Sequence, residues 1–163
     1  MKRFFTLSLL LLIVTGTVFA DLLPQNTVVI DAIELTQGIL NADYERKINN
    51  KFSYTIGTEV VGTLPTRRWE SASVTGGARF YPFSTATKGI FVGGKAYVGL
   101  INPLSTERKF FSWLVPAIGY NYVADNGFTA NIGGDFIFPL THYINTNDAF
   151  IKPVFRLKLG YSW

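Results

Sequence analysis

The sequence predicts an all-β protein, an eight-stranded antiparallel up-and-down β-barrel of the transmembrane kind, following a cleaved signal peptide. Three observations lead there. Apolar and polar residues alternate with a period of two along almost the whole chain after residue 20, as in strands with one apolar face. Short and long connections alternate strictly between those segments. The aromatic residues, 15% of the chain, are sorted toward the two ends of the strands.

The chain opens on MKRFFTLSLLLLIVTGTVFA, where Lys2 and Arg3 precede an apolar run over residues 4–14 and Val18-Phe19-Ala20 places a small residue at a cleavage point. This is the pattern of a signal peptide over residues 1–20, with an apolar run short for a bilayer span. The barrel domain is expected over residues 21–163, a length of 143 residues that suits one domain. Without Lys2 and Arg3 the formal charge of +4 falls to +2, which argues against a nucleic-acid partner. The absence of cysteine excludes a disulfide scaffold and any thiolate metal site.

The strands follow in order. TVVIDAIELT breaks phase between Ala32 and Ile33, so a bulge is expected there, or no strand at all. In ILNADYERKI, Leu40, Ala42, Tyr44 and Ile48 alternate with Asn41, Asp43, Glu45 and Lys47. FSYTIGTEV sets Phe52, Tyr54, Ile56 and Val60 against Ser53, Thr55, Gly57 and Glu59. SASVTGGARF and IFVGGKAYVGL continue, with Val74, Phe80, Val92 and Val98 opposing Thr75, Arg79, Lys95 and Tyr97. WLVPAIGYNYV is less regular, and Pro116 predicts a local irregularity. FTANIGGDFIF sets Phe128, Ile132 and Phe136 against Thr129, Asn131 and Asp135. The terminal strand sets Phe155, Leu157, Leu159, Tyr161 and Trp163 against Lys152, Arg156, Lys158, Gly160 and Ser162.

Tight turns are signalled at Asn49-Asn50-Lys51 and Asp125-Asn126-Gly127, with a modest turn over residues 82–88. Longer polar connections occupy residues 62–70, 101–109 and 139–149, the asymmetry of short periplasmic turns and longer external loops. Reading residues 28–48 as one strand would give seven and leave the chain ends on opposite sides of a membrane. Splitting near Thr36-Gln37-Gly38 gives eight strands with both ends on the periplasmic side.

Alternation alone does not separate a membrane barrel from a soluble one. The aromatics do. Tyr44, Phe52, Tyr54, Phe80, Tyr120, Tyr122, Phe128, Tyr161 and Trp163 gather at one end, and Phe110, Phe111, Trp113, Phe136, Phe138 and Phe150 at the other. Aliphatic residues and glycine lie between, as expected across the two interfaces of a bilayer. The polar face carries Asp43, Glu45, Lys47, Glu59, Arg79, Lys95, Asp135, Lys152, Arg156 and Lys158. Turned into a narrow lumen, these mixed signs are expected to pair with one another, with a proton path or small channel as the alternative.

On these residues the chain resembles the small eight-stranded outer-membrane β-barrels, the group that includes OmpX and the OmpA transmembrane domain. Residues 40–57, LNADYERKINNKFSYTIG, also look like the start of a group of uncharacterised outer-membrane barrels. The closing LGYSW resembles the β-signal read by the barrel assembly machinery, with Gly160, Tyr161 and Trp163 in the matching positions. The resemblance implies the outer membrane of a diderm bacterium as location, the assembly machinery as a partner during biogenesis, and no cofactor.

Candidate chemistry is thin. His142 is the lone histidine, Asp148 could approach it, and Ser105 or Ser112 could supply a hydroxyl. His142 lacks the His-x-Ser-Asn context of lipid A deacylases of the PagL type, because Tyr143-Ile144-Asn145 follows it. One histidine and no cysteine give no metal site. The loop cations Arg67, Arg68, Arg108 and Lys109, with Trp69, are candidates for pairing with lipopolysaccharide phosphates. The function expected is therefore a non-enzymatic envelope-structural or surface-interaction role, with a lipid A-modifying enzyme or a narrow channel as alternatives. No ligand is identified.

Overall fold

A computed structural model describes residues 24–63, 68–101, 109–141 and 152–163. The expected signal peptide lies outside them. The strands are β1 (Asn26–Asp31), β2 (Ile39–Lys47), β3 (Phe52–Thr63), β4 (Arg68–Phe80), β5 (Gly89–Ile101), β6 (Lys109–Val123), β7 (Phe128–Pro139) and β8 (Lys152–Ser162), with one short helix, α1 (Ala32–Thr36), after β1. Each strand pairs antiparallel with its sequence neighbours, and β8 returns to β1, so the ladder closes as an up-and-down barrel of eight strands. No described helix is long and apolar enough to cross a membrane.

The period of two fixes which side chains enter the barrel. Asp43, Glu45, Ser53, Thr55, Thr75, Arg79, Lys95, Asn121, Asn131, Arg156 and Lys158 are buried inside. Their neighbours Leu40, Ile56, Val74, Val98, Ile118, Ile132 and Leu159 are exposed on the outer wall. The barrel is thus apolar outside and polar within, the reverse of a soluble barrel core.

One end, here the near end, carries Asn26, Trp163 and the tight turns. Asn49 Oδ1 accepts from the backbone N–H of Lys51 and Phe52, and Asn126 Oδ1 accepts from Phe128. Gly127 takes φ +84°, and a Cβ there would stand 2.6 Å from the Tyr161 ring. The turn over residues 81–88 is more than a connection. Tyr81, Ala86 and Thr87 are buried, the Thr87 hydroxyl donates to Pro24 O at 2.9 Å, and Tyr81 packs on Phe91 with ring centroids 5.8 Å apart. This turn folds inward and plugs the near end.

The break in TVVIDAIELT is a helix, not a bulge. Asp31 Oδ1 accepts from the N–H groups of Ile33 and Glu34 at 3.0 Å each, capping α1, and Gly38 ends it at φ +81°. β1 is therefore short. It pairs with β8 only from Thr27–Ser162 to Asp31–Lys158, and α1 stands beside the remainder of β8 at the far end. Pro116 removes a donor, and pairings between β6 and β7 skip from Leu114–Phe138 to Ala117–Asp135 with the register unchanged. Among the described residues the register shifts elsewhere, between Val61 and Gly62 on β3.

The connection expected over residues 62–70 is shorter. Thr63 pairs with Arg68 and Gly62 with Trp69, so Arg68 and Trp69 belong to β4 and not to a loop. The aromatic sorting also needs one correction. Phe110 and Phe136 face outward at the far end, but Phe111 and Trp113 have the parity of inward residues, and Phe111 is buried. Gly99 makes the room: a Cβ there would stand 2.7 Å from the Phe111 ring.

Candidate functional site

The charged interior forms a ladder of ion pairs along the barrel axis. Nearest the plugged end, Glu45 on β2 accepts three bonds, from Arg79 Nη1 at 2.6 Å, Tyr81 Oη at 2.6 Å and Ser53 Oγ at 2.5 Å. The Arg79 guanidinium also lies 4.2 Å above the Phe91 ring. At the same end, the Thr27, Ser162 and Thr129 hydroxyls join at 2.6–2.7 Å and link β1, β8 and β7.

The middle layer centres on Asp43. Its Oδ2 accepts from Lys95 Nζ at 2.5 Å and from Lys158 Nζ at 2.7 Å. Lys158 donates also to Asn41 Oδ1 at 2.9 Å, and Asn41 Nδ2 donates to Glu59 Oε2 at 2.9 Å. These groups are almost fully buried, so each charge depends on its partner. Interior glycines make the layer sterically feasible. A Cβ on Gly77 would meet the Lys95 stem at 2.8 Å, and one on Gly93 the Arg79 stem at 3.0 Å.

The far layer gathers acids around a single guanidinium. Arg156 on β8 donates through Nε to Asp135 Oδ2 at 3.1 Å, stands 3.6 Å from Asp31 Oδ2, and pairs with Glu34 of α1. Beside it lie the Tyr97 and Trp113 rings, 6.2 Å apart, with Phe111 tilted against Trp113 at 4.6 Å.

Of the expected lumen residues, Asp43, Glu45, Glu59, Arg79, Lys95, Asp135, Arg156 and Lys158 are all buried in this ladder. Lys152 pairs through its backbone with Ile137 at the start of β8. Asp31 and Glu34 were not among the expected charges. Their signal was present as Asp31-x-x-Glu34 before Gly38, a helix-capping pattern that strand periodicity hides.

The terminal residues close the seam. Trp163 O accepts from the N–H groups of Gln25 and Asn26, and Trp163 N donates to Asn26 O at 2.9 Å. Tyr161 and Trp163 stack at 6.3 Å, while Gly160 lies so close to the Val28 carbonyl that no side chain could fit. Lys109 opens β6 opposite Ile101 on the exposed surface. His142, Asp148, Ser105, Arg67, Arg108 and Phe150 lie outside the described residues. Among the described residues no group of three or more histidines and acids is placed to hold a metal ion.

Outward apolar residues, inward ion pairs and a closed eight-stranded ladder define the class: a barrel with inverted polarity. A solved structure with this fold is the N-terminal β-barrel domain of Pseudomonas aeruginosa OprF, with a TM-score of 0.61 and 14% identity over 86% of this chain and 100% of that one. No family model and no curated protein sequence matches the chain.

Proposed function

We propose that the chain is an integral outer-membrane β-barrel protein of a diderm bacterium, exported by a signal peptide over residues 1–20, with a non-enzymatic envelope-structural or surface-interaction role. The observation that carries this reading is the inverted polarity: Ile56 is 52% exposed, Val74 65% and Phe155 62%, while Asp43, Glu45, Lys95 and Lys158 are at most 6% exposed. Water would not keep such a wall in contact with itself, and a bilayer would. The aromatic rim supports the same reading. Phe52 and Phe80 pair at 4.9 Å, and Tyr120, Tyr122, Phe128 and Trp163 join them at the near end, the level of a headgroup interface. The near end then faces the periplasm.

The ion-pair ladder and the turn over residues 81–88 fill the interior, which favours a closed lumen over a channel. Tyr161 and Trp163 at the seam suit the assembly signal, and lipid and lipopolysaccharide surround the outer wall. Gel mobility of the outer-membrane fraction tests the whole reading. The unheated protein should run faster than the boiled one and require detergent for extraction. A heat-insensitive protein released without detergent would overturn it.

A further inference from the structure

The layer around Arg156 contains more than the ladder needs. A cavity of about 100 Å³ lies in the far half of the interior, walled by Glu34, Glu59, Tyr97, Trp113 and Arg156, with Val115 and two further aliphatic side chains completing it. Its volume is far below the several hundred Å³ of a drug-sized site, and suits a ligand of a few heavy atoms.

Three buried polar atoms at this cavity have no hydrogen-bond partner: Glu34 Oε2, Tyr97 Oη and Trp113 Nε1. Tyr97 is only 2% exposed, so water outside the barrel does not reach its hydroxyl. Asn41 lies near that hydroxyl, but no hydrogen bond of normal geometry joins the two. Buried polar groups are ordinarily satisfied, so a cluster of unsatisfied ones converging on one cavity points to a bound group.

Charge selects its sign. Arg156 faces Asp31, Glu34 and Asp135, and Glu59 has the neutral Asn41 amide as its bonded partner. Lys95 and Lys158 both hold Asp43. Acids exceed bases around the cavity, which repels an anion and attracts a cation. The wall selects its type. Two aromatic faces and three aliphatic side chains favour an organic ammonium, held by carboxylates and ring faces together. Trp113 Nε1 can only donate, so the ligand must also present an oxygen acceptor.

We propose that this cavity is a binding site for a small ammonium ion carrying a hydroxyl or ester oxygen, of the amino-alcohol type. Glu34 and Glu59 take the charge, Tyr97 and Trp113 flank it, and Trp113 Nε1 donates to the oxygen. The same chemistry is available free in solution or as the headgroup of an aminophospholipid.

The experiment uses the full chain in detergent with Trp69 and Trp163 replaced by Phe, so that Trp113 alone reports. Ethanolamine should shift its emission saturably, and ethylene glycol, which lacks the charge, should not. E34Q and E59Q should each weaken the response about tenfold or more, while V98A on the outer wall leaves it unchanged. Glu34 stands outside the strand ladder, and Asp31 and Asp135 remain beside Arg156 in E34Q, so that variant tests the site with the strands in place. Equal responses to both probes, no response, or unaltered binding in E34Q would overturn the proposal. Vesicles separate the sources. A response to free ethanolamine in phosphatidylglycerol vesicles assigns a soluble ligand, and a shifted emission in phosphatidylethanolamine vesicles without added amine assigns a headgroup. Silence in both arms overturns the site.

Discussion

Asp43 of β2 and Lys158 of β8 meet at 2.7 Å inside the barrel, and the same oxygen holds Lys95 of β5, so one carboxylate joins three parts of the wall. Asp43→Asn would leave two buried ammonium groups without a counter-charge, at a cost of about 3–5 kcal/mol. Reversible urea unfolding in lipid vesicles measures it. A companion Asp43→Asn, Lys158→Met variant should recover part of the loss, because one of the stranded charges is gone.

Val74 points outward from the middle of β4 and is 65% exposed. Val74→Arg should destabilise the barrel by about 2–4 kcal/mol if that surface meets lipid. On a surface meeting water the same change would be nearly neutral. An unchanged unfolding midpoint would therefore sink the membrane assignment.

Tyr81 closes the near end through its bond to Glu45 at 2.6 Å. Tyr81→Phe keeps the ring on Phe91 and removes the donor, with a cost of about 1.5–3 kcal/mol expected for a bond to a charged group. Arg79 and Ser53 stay on the carboxylate, so the fold should persist, as circular dichroism of the aromatic bands would show.

Gly160 has no space for a side chain beside the Val28 carbonyl. Gly160→Val should prevent seam closure, read as loss of the fast-migrating folded band and as protease sensitivity of purified protein.

Trp163→Ala separates assembly from stability. If Trp163 is read during biogenesis, the variant should fall severalfold in the outer membrane of cells while refolding in vesicles almost as well as the parent. Equal losses in both settings would make Trp163 a structural residue alone.

Strand positions were readable because a period of two has one physical cause. A residue on a closed sheet faces in or out, and Asp43, Glu45, Lys95 and Lys158 follow that rule without exception. Tertiary accommodation was less readable. Phe111 and Trp113 look like rim residues until Gly99 on the facing strand is seen to make room inside. Charge partners were also hidden. The sequence offers Glu45, Glu59 and Asp135 to the cations of β8 on equal terms, and the structure brings Asp135 to Arg156, pairs Glu45 with Arg79 and gives Glu59 to Asn41. Glu34 required recognising one turn of helix inside a strand pattern. A capped segment of five residues leaves almost no periodic trace.

The shortness of β1 has a consequence for time as well as shape. The seam zips only from Thr27–Ser162 to Asp31–Lys158, whereas β5 and β6 zip from Gly89–Asn121 to Ile101–Lys109. Because β1 and β8 are the first and last strands, their pairing bears the largest loop-closure entropy and returns far fewer bonds than that of β5 with β6. Closure is then the final event of folding, and amide protons along this seam exchange with solvent before those of β5 and β6.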